Sequence, residues 1–587
     1  METDQKPDYS LRVRLVRNKM TEKNLSGLIV RGTDRFLNEY VPESESTRVW
    51  VSGFSGSAGD LFITLRDAFL FVDGRYHLQA EHQVDPKIFK IEKVPLGTSL
   101  EKALIQKIKD LFPATPARIG FEPDRFSIET FDRLKKSAEK LKIETVPLTP
   151  SLVEEVRGPI KEKTGKIWKI SPSLTGFPAA QKLARLREFM SFNGIDLWFV
   201  QTLDEIAYMT NLRGNEIPYQ ATFKSLVLVT SDRCYVALPE PERAENPELK
   251  ELTLIDIDDW KNILKNSEKN RTVGYDPSTT TEAIRMILVS HSFKTIPLPS
   301  PIATMKANKT PEELTHMIKA FAKADQVVNK AKHWLCRKTS SGEKISETRF
   351  AEKVAKLFKQ SGAFSLSFHI ISAAGKNGAV IHYSNPDPDR MISNGELMLL
   401  DTGAYYEGGY ATDLTRTFLV GDSKTKGTEE QKKIFTTVLK GAIAGMDAGF
   451  PKGTSGAALD AIVRAPLWKA GYNYNHGTGH GVGINVHESP PRISSQGDSI
   501  LEKGHVFSIE PGIYLSEFGG VRIENLCTVI DHPKYPDWLT VTPLTFSPLD
   551  ERLIDHSLLS REEKKWLRWY KNQSKISHIS PPLPFLA

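Results

Sequence analysis

Twice in the last third of the chain an apolar run ends on a carboxylate, passes a glycine pair and returns to a second carboxylate, and this repeat limits the possible folds more than any other feature. In Leu397-Met398-Leu399-Leu400-Asp401, side-chain alternation puts Leu397, Leu399 and Asp401 on one strand face. Gly408-Gly409 supplies a turn, and Asp413, Thr415 and Thr417 share a face of the returning strand, so a hairpin brings the two aspartates together. Val506-Phe507-Ser508-Ile509-Glu510 runs out in the same way, Gly519-Gly520 turns, and Val521-Arg522-Ile523-Glu524 comes back. Glu510 and Glu524 are an even number of residues apart, which suits facing positions on a hairpin. A carboxylate at the inner end of an apolar strand costs on the order of several kcal/mol when unpaired, so a cation is expected beside it.

A fifth group completes the set. His480 lies in His476-Gly477-Thr478-Gly479-His480-Gly481-Val482-Gly483, where small neighbours leave room for an imidazole and a metal. Any one of these acids alone reads as a turn cap or a solvated strand end. Asp401, Asp413, His480, Glu510 and Glu524 together read as a two-metal hydrolytic site, because four carboxylates balance two divalent cations. Oxygen-rich ligands without thiolate favour Mn²⁺, with Co²⁺, Fe²⁺ and Zn²⁺ as alternatives. Two such ions would bridge a water, make it a hydroxide near neutral pH and direct it at a scissile carbonyl. Competing motifs fail: Ile484 stands where a G-x-G-x-x-G run from Gly479 needs its last glycine, His487-Glu488 has no second histidine at zinc-protease spacing, and there is no Walker A loop.

At 587 residues the chain is too long for one core, and about two to four domains are expected. The net charge of +6, from 78 basic and 72 acidic residues, gives no case for nucleic acid. Cys234, Cys336 and Cys527 are far apart, which suggests neither disulfides nor a thiolate metal site and fits a reducing compartment. Residues 1–8 lack an apolar leader and no run is long enough to span a bilayer, so a cytoplasmic protein without a membrane partner is expected. Linkers are expected at Arg157–Thr175 and at Pro297-Leu298-Pro299-Ser300-Pro301. Thr310-Pro311-Glu312-Glu313 has the form of a capping box, followed by Leu314, Ile318, Phe321, Val328 and Leu335 at helical spacing. Helix-then-strand steps at Leu11–Val30 and at Leu183–Val200 suggest distant copies of one unit. Near the end, Ser560 and Glu563 form another capping box, and Trp566, Leu567 and Tyr570 make an apolar stripe that packs on its own domain or on a second subunit.

These residues resemble the metal-dependent pita-bread peptidases, and within them the aminopeptidase P (Xaa-Pro aminopeptidase) branch in its long, three-domain form. The strings that carry the resemblance are Leu400-Asp401-Thr402-Gly403-Ala404, Thr412-Asp413-Leu414-Thr415-Arg416-Thr417, the His476–Gly483 run, Val486-His487-Glu488, Ile509-Glu510-Pro511-Gly512-Ile513-Tyr514 and Gly520-Val521-Arg522-Ile523-Glu524. Val51–Gly59, Asp73-Gly74-Arg75-Tyr76, Thr202–Tyr208 and Asn211-Leu212-Arg213-Gly214 extend it over nearly the whole chain. It implies an α/β (α+β) architecture: two related creatinase-like domains at 1–165 and 166–300, a pita-bread catalytic domain at 301–543, and a C-terminal extension at 544–587 that is a possible dimer contact.

The resemblance also implies roles. Peptides with an N-terminal Xaa-Pro are the expected substrates, two Mn²⁺ per subunit the expected cofactor and a homodimer the expected assembly. Glu510 would ligate and also move the proton of the attacking water, and His487 would donate to the developing oxyanion. His382 and His476 would line the proline side. Tyr514 and Arg522 would complete the substrate site, Arg522 by supporting the metal-site carboxylates or Tyr514 from the strand face it shares with Glu524, with packing or ion pairing as the other reading of His382 and Arg522. Two features depart from the family: Asp401 and Asp413 are twelve residues apart, one more than usual, and His369 follows Phe368 where relatives tend to have proline. A prolidase acting on dipeptides is the alternative enzyme. A pita-bread module that has lost catalysis and only binds is the alternative outside enzymes, and the presence of all five ligands counts against it.

Overall fold

A computed structural model describes residues 7–113, 116–162, 164–244, 252–266 and 271–576, so the last residues of the expected C-terminal extension lie outside the described ones. Contacts divide the chain into one unit of residues 1–168, 179–218 and 222–301 and another of residues 169–178, 219–221 and 302–587.

The first unit holds the same sheet twice. One sheet runs in the order Lys90–Lys93, Ala68–Val72, Asp60–Thr64, Gly27–Val30, Ala117–Phe121, Ile143–Pro147, and the other in the order Leu252–Asp256, Cys234–Leu238, Leu226–Val229, Leu197–Val200, Thr272–Tyr275, Lys294–Pro297. Read along either order, neighbours pair parallel, antiparallel, antiparallel, parallel and parallel. Each helix-then-strand step found in the sequence supplies the fourth strand of its sheet, after the helices Tyr9–Glu22 and Ala179–Phe192. The copies are thus one topology, although their sequences have drifted apart. The expected break at Arg157–Thr175 is not bare linker, since Ile167–Lys169 pairs with Leu212–Gly214 and Pro172–Thr175 forms a helical turn.

The second unit opens with the Pro311–Ser340 helix, capped by Thr310 and Glu313 as the sequence predicts. Its Ala324, Val328 and Leu335 pack with Phe350, Val354 and Phe358 of the Glu347–Gln360 helix against Met398, Leu400, Leu414 and Phe418. The strands beneath, Ile371–Ala374, Leu397–Thr402 and Leu414–Leu419, form one antiparallel sheet. The Glu429–Met446 and Gly456–Lys469 helices cover a separate core with Phe507, Ile509, Val521 and Ile523. Trp566, Leu567 and Tyr570 enter that same core, so the C-terminal stripe packs on its own unit. Among the described residues no helix is long and apolar enough to cross a membrane.

Close backbone contact sets the floor of the site. A Cβ on Gly403 would lie 1.8 Å from the Thr412 carbonyl oxygen and 2.3 Å from Ser367 Oγ. Neither wall is a flexible tip, so Gly403→Ala should cost about 3 kcal/mol or more by forced backbone movement. Calorimetric melting checks this, and a wild-type melting temperature would count against it.

Candidate active site

The first hairpin keeps one register from end to end. Leu397 faces Leu419, Asp401 faces Thr415, and the pairing continues to Tyr405 opposite Ala411. Asp413 therefore lies across from Gly403, and its side chain shares a face with Asp401. The extra residue between the aspartates is absorbed in the turn, where Gly408 and Gly409 have φ of +89° and +67°, and the strands carry no bulge.

The second hairpin repeats this logic. Ile509 faces Asn525 and Gly512 faces Arg522, and the same register sets Glu510 opposite Glu524. Its turn lies at residues 516–518, between Leu515 and Gly519, and not at Gly519-Gly520 as the sequence suggested. The two glycines open the returning strand instead, where a Cβ on Gly520 would sit 1.8 Å from the Gly378 carbonyl oxygen. A bridge between Arg416 and Ile523 joins the hairpins. Alongside it Thr415 Oγ1 donates to Glu524 Oε2 at 2.8 Å, and Thr417 Oγ1 donates to the Arg522 carbonyl at 3.0 Å.

His480 enters on the short strand Gly479–Gly481, next to Val506–Ile509. Gly479 has the Ser508 carbonyl oxygen 1.8 Å from where a Cβ would be, so the small residue permits the approach. His480 Nε2 is 3.5 Å from Asp413 Oδ2 and 3.5 Å from Glu510 Oε1. Ligand atoms of Asp401, Asp413 and Glu524 lie within 4.8 Å of one another, and so do those of His480, Glu510 and Glu524. His487 belongs to a third such group, with Asp413 and His480, and its ring is edge-on to His480 with centroids 4.3 Å apart.

The electrostatics of this cluster call for positive charge. Burial, then the Asp401 charge, pushes Glu524 up to about 7. Burial, then Glu524, Asp401 and Glu510, holds Asp413 well above the ordinary carboxylate value. Asp401 Oδ1 is buried without a hydrogen-bond partner, while Oδ2 accepts from Arg522 Nη2 at 2.6 Å. Crowded carboxylates, an orphaned oxygen and an imidazole nitrogen facing the same space are a donor set that fits two adjacent divalent ions.

The comparisons agree over the full chain. Residues 315–531 match metallopeptidase family M24, residues 12–158 and 159–313 each match a creatinase/prolidase N-terminal domain, and residues 537–581 match the C-terminal region of peptidase M24. The probable Xaa-Pro aminopeptidase P of Sordaria macrospora is 34% identical over 591 residues, covering 95% of this chain and 94% of its own length. This chain belongs to the aminopeptidase P family. Another aminopeptidase P relative, from Coprinopsis cinerea, is 31% identical over 609 residues and covers 98% of this chain and 96% of its own. Among solved structures, the X-prolyl aminopeptidase of Caenorhabditis elegans, described as a cytosolic enzyme with a di-nuclear active site, superposes with a TM-score of 0.90 at 27% identity, over 98% of this chain and 96% of its own. An Xaa-Pro dipeptidase from Bacillus anthracis reaches 0.53 at 26% identity and covers 63% of this chain and 99% of its own.

Around this cluster the remaining expected residues are grouped unevenly. His476 Nε2 meets the Tyr514 hydroxyl at 3.0 Å, and Arg522 Nη1 donates to that same hydroxyl at 2.9 Å. Arg522 is 1% exposed and also binds Thr415 Oγ1 and the Ile381 carbonyl, so its guanidinium is committed to the frame and reaches a substrate only through Tyr514 and Asp401. His382 follows Ile381 and is half-buried. His369 is exposed, with its Nδ1 3.0 Å from the Tyr219 hydroxyl.

Three supports went unseen in the sequence. Glu347 is fully buried and accepts from the Ala374 and Asp387 amides, Asn377 Nδ2 and the Tyr383 hydroxyl, which ties down the loop that bears His382. Arg464 pairs with Asp460 at 2.9 Å and donates to the His476 carbonyl at 2.6 Å, while Thr478 Oγ1 donates to Asp460 Oδ1. Glu488, next to His487, lies between Lys306 and Lys309 at 3.1 and 3.3 Å, and those lysines hold its carboxyl down to about 2 against the opposing effect of burial. No local periodicity marks such residues. Only a carboxylate at a helix start, as in Ser346-Glu347, was available as a signal.

Proposed function

We propose that this chain is a metal-dependent Xaa-Pro aminopeptidase, removing the first residue from peptides with proline in second position. The observation that supports it best is the shared register by which two hairpins turn Asp401, Asp413, Glu510 and Glu524 toward His480. Those five residues would hold two divalent ions, with Mn²⁺ favoured by the oxygen-rich donor set. When bound, the ions supply Lewis acidity that ionises water near neutral pH and neutralises charge on the substrate's carbonyl oxygen.

Proline after the scissile bond sets the task for the protein. Its nitrogen has no N–H, so a site that grips that amide as a donor has no handle. Attack centred on a held water does not need one. Glu510 takes the proton of the attacking water on its carboxylate and delivers it to the leaving proline nitrogen. His487 donates to the developing oxyanion, a role worth about 3 to 4 kcal/mol in comparable sites. His476 and His382 line the proline ring, Tyr514 stands between His476 and Arg522, and Arg522 fixes Asp401.

The division into 1–165, 166–300, 301–543 and 544–587 belongs to the same reading, supported by the repeated sheet and the four matched segments. So do a cytoplasmic location, in keeping with the worm relative's description, and a homodimer, which the family resemblance suggests.

Incubating the Mn²⁺-loaded protein with Arg-Pro-Pro and with Gly-Pro, followed by chromatography, separates this reading from a prolidase. Release of arginine from the tripeptide is the expected result. Hydrolysis of the dipeptide alone would overturn the assignment, and hydrolysis of neither would leave a binding module.

A further inference from the structure

The Arg561–Ile576 helix sends the Tyr570 hydroxyl into the core behind the acid-bearing strands. Tyr570 is 1% exposed, with its ring stacked on Trp566 at 5.2 Å and tilted against Phe546 at 5.6 Å. Its hydroxyl accepts from Arg416 Nη2 at 2.7 Å and from Asn525 Nδ2 at 3.0 Å, and it donates to the Ser547 carbonyl at 3.0 Å. Apolar packing alone does not account for so complete a set of partners.

Arg416 explains where this set leads. It stands between Thr415 and Thr417 on the Leu414–Leu419 strand, so alternation points it away from the face of Asp413. Its Nη1 donates to the Thr415 carbonyl at 2.8 Å and to the Glu524 carbonyl at 2.5 Å. At the other end, Nε and Nη2 donate to the Ser547 carbonyl at 3.1 and 2.9 Å, and Nη2 also reaches Asn525 Oδ1 at 3.2 Å. One guanidinium therefore grips the main chain on both sides of the seam between the hairpins. Among the described residues Arg416 has no carboxylate within ion-pair distance; its direct partners are neutral acceptors, and the buried Asp325 carboxylate acts on it only from further away. A buried charge so held depends on every acceptor being present.

We propose that Arg416 and Tyr570 are positioning residues for the metal centre: through the Tyr570 hydroxyl and the Arg416 guanidinium, the C-terminal helix sets how closely Glu524 approaches the Asp401–Asp413 hairpin. The proposal rests on the two-ion reading given above. Between Arg416 and Ile523 the strands share only an isolated bridge, so the side-chain ties supply much of the seam. Removing the hydroxyl leaves Arg416 Nη2 and Asn525 Nδ2 each short of an acceptor. The guanidinium then swings toward other partners, and its hold on the Glu524 carbonyl weakens.

The test is calorimetric titration of the full-length, metal-free protein with Mn²⁺. Tyr570→Phe keeps the ring packing and is expected to weaken one of two Mn²⁺ sites by about 10-fold, the lower end of what losing a direct outer partner of a metal ligand costs. Arg416→Lys, which keeps the charge but not the fork, should do the same. Leu567→Ala strips packing from the same helix with its hydrogen bonds intact; it should lower the melting temperature and leave both Mn²⁺ affinities as in the wild type. The proposal is overturned if Tyr570→Phe binds both ions as tightly as the wild type, or if Leu567→Ala weakens binding equally. A wild type that takes up no Mn²⁺ sinks the two-ion reading and this proposal with it, whereas two ions bound by wild type and Tyr570→Phe alike sink this proposal alone.

Discussion

Glu510→Gln is expected to lower kcat on Arg-Pro-Pro by about 10³-fold or more while the protein stays folded. The amide has nearly the shape of the carboxylate, and the backbone tie from the Glu510 N–H to the Thr478 carbonyl, 2.8 Å, does not involve the side chain. What is lost is one negative charge 3.5 Å from His480 Nε2 and the group that carries the proton. The metal-free variant should melt no lower than the metal-free wild type, since one of four crowded carboxylates has been neutralised. Steady-state kinetics with parallel melting curves check both halves. Activity within tenfold of the wild type would remove Glu510 from the chemistry, and a collapsed fold would make its part structural.

Chelation has the other large effect. Stripping divalent ions should abolish hydrolysis and lower the melting temperature, since an ion held at about a thousand times its Kd contributes about 4 kcal/mol to the folded state. The stripped protein should also be less stable at pH 8 than at pH 5. Glu524 sits at about 7 in the folded protein, above its unfolded value, so the folded state binds that proton more tightly. The contribution is full below the unfolded value and is lost as pH rises through 7. Asp413 shifts in the same direction. Melting curves at several pH values, with and without Mn²⁺, should show the slope only in the stripped protein. A slope of opposite sign, or one indifferent to Mn²⁺, would contradict this account of the carboxylates.

Much of this was legible in the sequence because it is local. Alternation put Asp401 and Asp413 on matching faces, the even spacing of Glu510 and Glu524 foretold their register, and the Thr310 and Ser560 caps formed as read. What stayed hidden depends on distant chain. Gly519 and Gly520 look like a turn, yet their use is to let the 375–378 segment approach, which no neighbour in sequence announces. The stripe of Trp566, Leu567 and Tyr570 has one pattern whether it meets its own core or a partner. Arg522 shares a strand face with Glu524, which directs it to the metal-site carboxylates or Tyr514, and it bonds both; that Thr415 Oγ1 and the Ile381 carbonyl take the rest of its guanidinium is not written in its neighbours. Glu347, Asp460 and Glu488 were invisible for a related reason: a buried acid is recognised by its partners, and these come from segments far along the chain.

Diffraction at the manganese edge from crystals of the Mn²⁺-loaded protein tests the central claim most directly. Two anomalous peaks a few Å apart are expected, enclosed by the carboxylates of Asp401, Asp413, Glu510 and Glu524, with His480 Nε2 on one of them. Peaks elsewhere with this cluster empty, or no manganese in fully loaded crystals, would contradict the account.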